Sequence, residues 1–556
     1  MLEPPQTQLQ EQTATRDRDL SERTLSKHSE VSRDYFLPTR TLPKRRLRPW
    51  LARQTATFLC TCSAIDAAFI FAMLGIVGLL LASHMPMNED GDGLLTTIIS
   101  LHQVTLYYWL QDRLGNLLPA MTMWIHDPTN NAYAQVGLRL IFGLLAPIFY
   151  CSLVFPRAVD SWRAVLATDL LLVIALSPGF AWQIYIEAYP YGTALAMAGF
   201  STLLLRAARN GKPQARWLFW SFGIVTLLIA YITDIALLLV AVPLIALLAL
   251  LLSSEFFYRL LFLHVLAIGV GFVLPKVFAP GLHTPLGVTL SYQNGLHFLQ
   301  SVWSSMGWRF TLVAVLPVFL WLGLAGLGCL RGRWLYSSIL AAMLTVSMVS
   351  LLVTASSQWV AMNGFLPRYF IPGHVLLMSM SGTSLWLCCR FGISDRSLSR
   401  AAFIGISGAL LLAGATRLHA WRPDGNGIIG NGKGPQTRAI AARYVAEHLD
   451  AIAGNYGDTW PAVFGAQQYE YDLNQSGQEV FGITFRGQLR RGAFAARLAK
   501  RGEMRVGCID LKMDACSELT KQVMDIPNLS AREFAASERI PGNHVLAFIV
   551  LRPTGQ

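Results

Sequence analysis

Charged side chains are scarce in this chain. Asp, Glu, Lys and Arg together make up 14% of its 556 residues, whereas soluble globular proteins carry about a quarter. The scarcity is uneven: residues 1–53 are polar, residues 64–418 hold nearly all the long apolar runs, and residues 420–556 return to an ordinary globular composition. A membrane protein with two soluble flanking regions is therefore predicted.

Several catalytic signatures are also missing. The sequence contains no P-loop, no G-x-G-x-x-G before a helix, no G-x-S-x-G and no zinc-type spacing of Cys and His. These absences disfavour nucleotide hydrolysis and hydride transfer. Of the eight cysteines, six lie in or beside apolar runs, where Cys behaves as a small hydrophobe. Cys508 and Cys516 lie in the C-terminal region, where they form a disulfide in an oxidising compartment or stay as two free thiols.

The N-terminal region, residues 1–53, is predicted to be a disordered basic tail in the cytosol, because it lacks the apolar clusters needed for a core. The basic run 44–48 and Arg53 directly precede the first apolar run, which is typical of a positive-inside anchor. The formal net charge of +12 is thus explained by membrane topology, and no nucleic-acid partner is expected.

The predicted fold is mainly α, a polytopic transmembrane bundle over residues 54–419. Crossing a bilayer takes about 20 apolar residues. About eleven candidate spans lie at 63–82, 135–155, 164–178, 191–206, 216–232, 235–253, 257–275, 310–330, 334–354, 370–389 and 400–418. The third and fourth are short, and the fifth and sixth are nearly continuous.

Charge asymmetry predicts the orientation of this bundle. With a cytosolic N-terminus, the cytosolic loops hold twelve basic residues and the opposite loops only four. The protein is therefore expected to be a multi-pass protein of the plasma membrane, surrounded by membrane lipids. An odd number of spans places residues 420–556 outside, together with the long loops 83–133, 276–309 and 355–369.

The first outer loop carries an acidic run, Met87-Asn88-Glu89-Asp90-Gly91-Asp92-Gly93. Placing carboxylates this close to a bilayer costs free energy unless they are solvated or serve a function. The following stretch, 94–110, is too polar to span and is predicted to be an interfacial helix. The plain alternative is that Asp90 or Asp92 only caps this helix.

Other candidate residues are scattered over the outer loops. Arg368 lies on the predicted outer side, where the positive-inside rule expects few basic residues, at the point where the chain re-enters the membrane. Two roles are open for it: it binds a phosphate group, or its side chain only snorkels to the interface. The remaining candidates for the substrate or the lipid phosphate are Tyr369, Asp112, Arg113, Glu187 and Lys276.

The order of these features resembles the GT-C superfamily of membrane glycosyltransferases. One N-inside span, an acidic pair in a large outer loop and an interfacial helix follow one another. The run Tyr-Trp-Leu-Gln-Asp-Arg-Leu-Gly-Asn-Leu-Leu-Pro at 108–119 resembles bacterial members related to protein mannosyltransferases and lipid A aminoarabinose transferases. The run Arg-Tyr-Phe-Ile-Pro at 368–372 is similar to an Arg-Tyr stretch in the same proteins. The resemblance covers residues 60–418.

This resemblance implies transfer of a sugar from a polyprenyl-phosphate carrier to a glycan, lipid or protein acceptor at the outer face. A carboxylate accepts the proton of the acceptor hydroxyl, and Arg368 stabilises the departing phosphate. Asp90 is the favoured base, with Glu89 and Asp92 as alternatives. No obligatory metal is expected, although a divalent metal serves some members.

The C-terminal region, residues 436–556, follows a Gly-rich linker at 420–435 and is predicted to be a small extracytoplasmic α/β domain. Helices are predicted at 437–451 and 514–524, and strands at 461–465, 504–511 and 543–551. Either it helps to select the acceptor or it is a passive cap.

Two other functions compete with an enzyme. A transporter or flippase of lipid-linked glycans needs polar groups in the middle of several spans, and here only Arg139 and Asp169 stand out. A polysaccharide polymerase shares the outer-face location, but its key basic groups lie on outer loops, which are poor in Lys and Arg in this chain.

Overall fold

The fold is seen in a computed structural model of the chain. It describes residues 49–84, 91–107, 115–175, 178–185, 190–210, 213–278, 289–297, 334–393, 395–419, 434–473, 479–484, 490–541 and 543–554, with isolated positions between 312 and 323. The chain forms two compact units, Met1–Ala64 and Ile65–Gln556. The predicted tail up to residue 48 and most of the linker lie outside the described residues.

The membrane region consists of helices. They are α1 (Pro49–His84), α2 (Gly91–His102), α3 (Leu117–Thr122), α4 (Pro128–Leu145), α5 (Ile148–Val154), α6 (Ala158–Ala175), α7 (Pro178–Tyr185), α8 (Tyr191–Asn210), α9 (Pro213–Thr233), α10 (Leu238–Leu252), α11 (Glu255–Phe278), α12 (Trp334–Ser356), α13 (Gln358–Met362), α14 (Ile371–Gly392) and α15 (Arg396–His419). Short 3-10 turns precede α10 and α14, at Ile235–Leu237 and Pro367–Phe370.

Ten of the eleven predicted spans coincide with helices, and the span at 310–330 lies mostly outside the described residues. In the part of the chain that the structure describes, eight helical stretches are long and apolar enough to cross a membrane. The multi-pass membrane class is thereby supported, and the crossing of all eleven spans stays a prediction. Asp234 marks the break between the fifth and sixth predicted spans, because its carboxylate accepts a hydrogen bond from the Ala236 N–H.

Close helix packing holds the bundle together. A Cβ atom added to Gly382 of α14 would lie 2.2 Å from Thr168 Oγ1 and 2.6 Å from Thr168 N of α6, so only glycine permits this crossing. The Tyr150 hydroxyl donates to the Pro372 carbonyl at 2.8 Å and ties α5 to the start of α14.

Three arginines counted as topology signals also form ion pairs. Arg163 pairs with Asp66 at 2.5 Å, and Arg390 pairs with Asp160 at 2.6 Å. Arg400 lies 3.7 Å from the same Asp66 carboxylate. At this end of the bundle, part of the positive charge is therefore balanced within the protein.

The C-terminal domain is an α/β unit, as predicted. Its helices are α16 (Gly434–Ala446), α17 (Tyr456–Asp472), α18 (Arg491–Arg501) and α19 (Met513–Met524), and its strands are β1 (Ala451–Ala453), β2 (Phe481–Ile483), β3 (Met504–Ile509), β4 (Leu529–Ile540) and β5 (His544–Pro553). The sheet order is β2-β1-β3-β5-β4, with β1 parallel to β2 and β3, and β5 antiparallel to β3 and β4.

One strand prediction in this domain is wrong. Residues 461–465 lie inside α17, not in a strand. Asn455 caps this helix by accepting a hydrogen bond from the Asp458 N–H, and the apolar run is buried on all sides. A short apolar run does not distinguish a buried helix from a buried strand. The strands over 504–509 and 544–553 and the helix over 513–524 confirm three other predictions. The helix predicted at 437–451 is α16, which ends at Ala446 before β1 begins at Ala451.

Cys508 and Cys516 form a disulfide between β3 and α19. Of the two alternatives that the sequence left open, the structure therefore shows the bonded pair. Disulfides persist in oxidising compartments, which favours the expected placement of this domain outside the cytosol.

Candidate active site

Helix α2, whose first turn contains the end of the acidic run, forms the floor of the candidate site. Leu94, Leu95, Ile98 and Ile99 are at most 2% exposed, and Thr96 and Ser100 are 1% and 4% exposed. A helix that is buried all round lies in a protein core rather than at a lipid surface. The predicted interfacial helix is therefore wrong in its surroundings, although the helix itself exists.

The polar side of α2 contacts a row of side chains on α4. Asn131, Gln135 and Arg139 are spaced four residues apart, so they share one face of that helix. Asn131 Nδ2 donates to Ser100 Oγ at 3.0 Å, and Gln135 Nε2 donates to the Thr96 carbonyl at 3.2 Å.

Arg139, the last residue of this row on α4, contacts the start of α2. Its Nη2 donates to Thr96 Oγ1 at 2.7 Å and to the Gly93 carbonyl at 3.1 Å, and the residue is 3% exposed. This arginine therefore fixes the first turn of α2, directly beside the acidic run. The sequence drew attention to Arg139 only as a polar residue within a span.

The apolar side of α2 packs on the C-terminal domain. Leu94, Leu95, Ile98 and Ile99 form one buried cluster with α17, to which Trp460 and Phe464 belong. The C-terminal domain thus shares a buried core with α2, and this contact is compatible with both predicted roles, acceptor selection and a passive cap.

Asp92 and Arg368 form an ion pair at the N-terminal end of α2. Asp92 lies in the first turn of α2, and Arg368 lies in the 3-10 turn before α14. Arg368 Nη1 donates to Asp92 Oδ2 at 2.8 Å, and the two side chains are 20% and 31% exposed. The Tyr369 ring lies 5.5 Å from the guanidinium carbon. Two candidates that are 276 residues apart in the chain therefore form one site.

The C-terminal domain adds Tyr456 to this pair. The Tyr456 hydroxyl donates to Asp92 Oδ1 at 2.5 Å. Tyr456 is the first residue of α17, which Asn455 caps at the end of the short loop after β1. The two carboxylate oxygens of Asp92 thus face different partners, one from the membrane region and one from the C-terminal domain. No sequence signal pointed to Tyr456.

The far end of α2 is also joined to the C-terminal domain. The Gln467 side-chain amide donates to Nε2 of His102, and Arg490 donates to the side-chain oxygen of Gln103. Burial lowers the pKa of His102 below its usual range, and the nearby Glu479 carboxylate opposes this shift. His102 is therefore a neutral contact between the loop and the domain.

The second and third outer loops meet near Arg368. Gln358 N donates to the Thr289 carbonyl at 2.9 Å, and Ser291 N donates to the Ser356 carbonyl at 2.8 Å. The His297 and Phe365 rings lie 5.7 Å apart, and Phe365 is three residues before Arg368 in the chain. All three long loops thus converge on one region of the protein.

The other predicted site residues either lie away from Asp92 and Arg368 or fall outside the described residues. Lys276 lies exposed in the last turn of α11, and no described contact joins it to Asp92 or Arg368. Glu89, Asp90, Asp112, Arg113 and Glu187 lie outside the described residues. The ends of the loop that carries Asp112 and Arg113 are fixed, because Tyr107 and Gly115 form an antiparallel bridge.

Metal binding has no support from side-chain clusters. Among the described residues, no group of three or more His, Cys, Asp or Glu side chains is placed to hold a metal ion. The absence of an obligatory metal stays a prediction, since Glu89 and Asp90 are not part of that search.

Comparisons with known proteins give a structural likeness only. No family model and no curated protein matches the chain. The fold is similar to ArnT from Cupriavidus metallidurans bound to undecaprenyl phosphate, with 14% identity, a TM-score of 0.44, and coverage of 87% of this chain and 98% of that one.

A second similar structure is the arabinofuranosyltransferase AftD from Mycobacteria. It shows 11% identity and a TM-score of 0.44, over 88% of this chain and 40% of AftD. This chain thus spans less than half the length of AftD. At such identities the likeness concerns the fold, and the chemistry has to come from the residues of this chain.

Proposed function

We propose that this protein is a GT-C glycosyltransferase of the plasma membrane that moves a sugar from a polyprenyl-phosphate carrier to a glycan, lipid or protein acceptor at the outer face. The observation that supports this most is the meeting of Arg368 and Tyr456 at Asp92, the last carboxylate of the acidic run. It joins a cation, a carboxylate and a phenol where the outer loops and the outer domain come together.

Arg368 is proposed to bind the phosphate of the carrier. A guanidinium has five N–H donors in a planar fork, so it holds a carboxylate and phosphate oxygens at the same time. Asp92 orients this fork through Nη1. As the bond between sugar and phosphate breaks, negative charge grows on the leaving phosphate, and a preoriented cation lowers the barrier.

Asp92 is proposed to position Arg368 rather than to act as the base. One carboxylate oxygen accepts from Arg368 and the other from Tyr456. Acceptance of the proton from the acceptor hydroxyl is assigned to Asp90, two residues earlier, with Glu89 as the alternative. The acceptor oxygen then attacks the anomeric carbon, the carrier phosphate leaves, and a single displacement inverts that centre.

The C-terminal domain is proposed to take part in acceptor selection. It covers α2 with Trp460 and Phe464 and reaches Asp92 with Tyr456. An acceptor that approaches the acidic run from outside therefore meets this domain. No nucleic acid and no obligatory metal are part of the proposal.

A direct experiment compares Arg368→Lys and Arg368→Gln in membranes supplied with radiolabelled polyprenyl-phosphate sugar. Loss of a charged donor to a transition state costs about 100-fold in rate, so we expect this loss in the Gln variant and partial activity in the Lys variant. Arg552→Gln, which removes an exposed arginine paired with Glu503, is the matched control. Full transfer by both Arg368 variants at equal expression would end the proposal.

A transporter of lipid-linked glycans is the second candidate. Asp169 is fully buried and accepts a hydrogen bond from the Tyr185 hydroxyl at 3.1 Å, and His264 is fully buried beside Tyr231 at 2.7 Å. Ionisable groups inside a helix bundle are typical of transport pathways. Movement of a labelled lipid-linked glycan across liposomes without any transfer would favour this candidate.

A further inference from the structure

A second charged site lies at the end of the bundle that faces away from Asp92. Gly115 N donates to the Thr233 carbonyl at 3.2 Å, so the C-terminal end of α9 meets the first outer loop. Helix α9 has 21 residues and is therefore roughly 30 Å long. Its first turns consequently lie near the opposite face of the membrane, together with the last turn of α8 and the first turn of α11.

These three helix ends enclose a cavity of about 260 Å³. Its polar wall carries Arg209, Arg216 and Arg259, and its apolar wall carries Trp220, Phe256 and Leu263. Ligand pockets usually measure roughly 300–1,000 Å³. This cavity therefore suits the head of an amphipathic molecule but not a whole lipid.

The cavity has an excess of positive charge. Arg259 pairs with Glu255, whereas no ion pair in the described part of the chain engages Arg209 or Arg216, and both are exposed. Three guanidinium groups against one carboxylate leave two positive charges. Two arginines elsewhere in the bundle differ, because Arg163 and Arg390 are neutralised by Asp66 and Asp160.

The surface beside the cavity is apolar. Trp217 and Phe222 of α9 are 79% and 55% exposed, and Phe262 of α11 is 67% exposed. In a membrane such side chains contact hydrocarbon. A molecule whose head occupies the cavity would therefore lay its chains along α9 and α11.

We infer that this cavity binds the phosphodiester headgroup of an anionic phospholipid, with the acyl chains on the exposed flanks of α9 and α11. Basic pockets between helices on the positive side of a membrane suit acidic headgroups. Guanidinium groups hold phosphate oxygens in pairs. The Trp220 and Phe256 rings close the apolar side, where the glycerol backbone passes into the hydrocarbon region. The site is independent of any sugar transfer at Asp92.

Native mass spectrometry of the full chain in detergent tests this inference, with phosphatidylglycerol and phosphatidylcholine as probes. The wild type is expected to retain phosphatidylglycerol in preference to phosphatidylcholine. An arginine near a membrane surface contributes about a fivefold change in binding of an anionic lipid. Arg216→Gln and Arg209→Gln should each lower retention of phosphatidylglycerol by about that factor.

Arg157→Gln is the matched control, because Arg157 is an exposed arginine between α5 and α6 and does not line the cavity. Equal retention of the two lipids by the wild type, or an equal loss in the Arg157 and Arg216 variants, would overturn the inference. So would displacement of the lipid by millimolar inorganic phosphate alone, which would mark a site for the free anion.

Discussion

The hydroxyl of Tyr456, in the outer domain, donates a hydrogen bond to Oδ1 of Asp92, which lies 364 residues earlier in the chain. The same carboxylate accepts a hydrogen bond from Arg368 through Oδ2. The membrane region and the C-terminal domain therefore share one polar group, and the proposed site is incomplete without that domain.

Replacing Tyr456 with Phe tests this shared group. The ring and its contact with Trp460 are kept, and only the bond to Asp92 is removed. A hydrogen bond to a charged group contributes about 1.5 kcal/mol or more, so sugar transfer should fall about tenfold. Tyr471→Phe on the same helix, where Tyr471 is exposed, should leave transfer unchanged. Equal activity of both variants would show that Tyr456 only packs.

Asp92→Asn and Asp90→Asn should differ in the kinetic constant that they change. If Asp92 positions Arg368, its amide variant should raise the KM for the lipid donor about tenfold and affect kcat less. Loss of a general base lowers kcat by about 100-fold or more, and this is expected for Asp90. Initial rates over a range of donor concentrations separate the two constants. A loss of kcat in Asp92→Asn alone would reverse the two assignments.

Arg139→Met should loosen the first turn of α2. The side chain loses its bonds to Thr96 and Gly93 in a buried setting. Thr96 Oγ1 still donates to the Gly93 carbonyl at 2.6 Å, so the expected loss is about 2 kcal/mol. The apparent melting temperature in detergent measures it. Tyr133→Ala on the same helix removes an exposed ring and should cost much less. No change in Arg139→Met would contradict the structural role of that arginine.

Acid should weaken the contact between α2 and the C-terminal domain. Burial lowers the pKa of His102 in the folded state, so the folded state binds fewer protons than the unfolded state below about pH 6.5. Stability is therefore present above this value and is lost as the pH falls. Amide hydrogen exchange of residues 91–102, corrected for intrinsic rates, should be faster at pH 5.5 than at pH 7.5.

His102→Gln supplies the control for this effect, because it keeps a polar group beside Gln467 but does not titrate. Its exchange should be the same at both values of pH. An equal acceleration in the variant would assign the pH response to another group.

Prediction from sequence succeeded for the elements whose positions are determined by composition and periodicity. Long apolar runs located ten helices of the bundle, and the residues after the Gly-rich run form the C-terminal α/β unit. It failed for residues 461–465, because five apolar residues fit a buried strand as well as a buried helix. It also missed three strands. Strands β1 and β2 have only three residues each and leave no periodic signal, and the 12 residues of β4 were not predicted as a strand either.

At the candidate site, the sequence predicted helix α2 but not the segments that cover it. Its mixture of Leu, Ile, Thr and Ser correctly indicated an amphipathic helix, and a lipid surface was the expected partner. The apolar partner is Trp460 and Phe464 of a distant segment, and the polar partner is the row that includes Gln135. A pattern shows which face of a helix avoids water, but it does not show what covers that face.

The sequence by itself determined that this chain is a membrane protein, because apolar runs of span length fix where helices cross, and basic loops indicate an orientation. It also placed carboxylates after the first span and an arginine before α14. Only the tertiary structure brought Asp92, Arg368 and Tyr456 together. Contacts between residues hundreds of positions apart depend on how helices and domains pack, and packing is a property of the whole chain rather than of any local run.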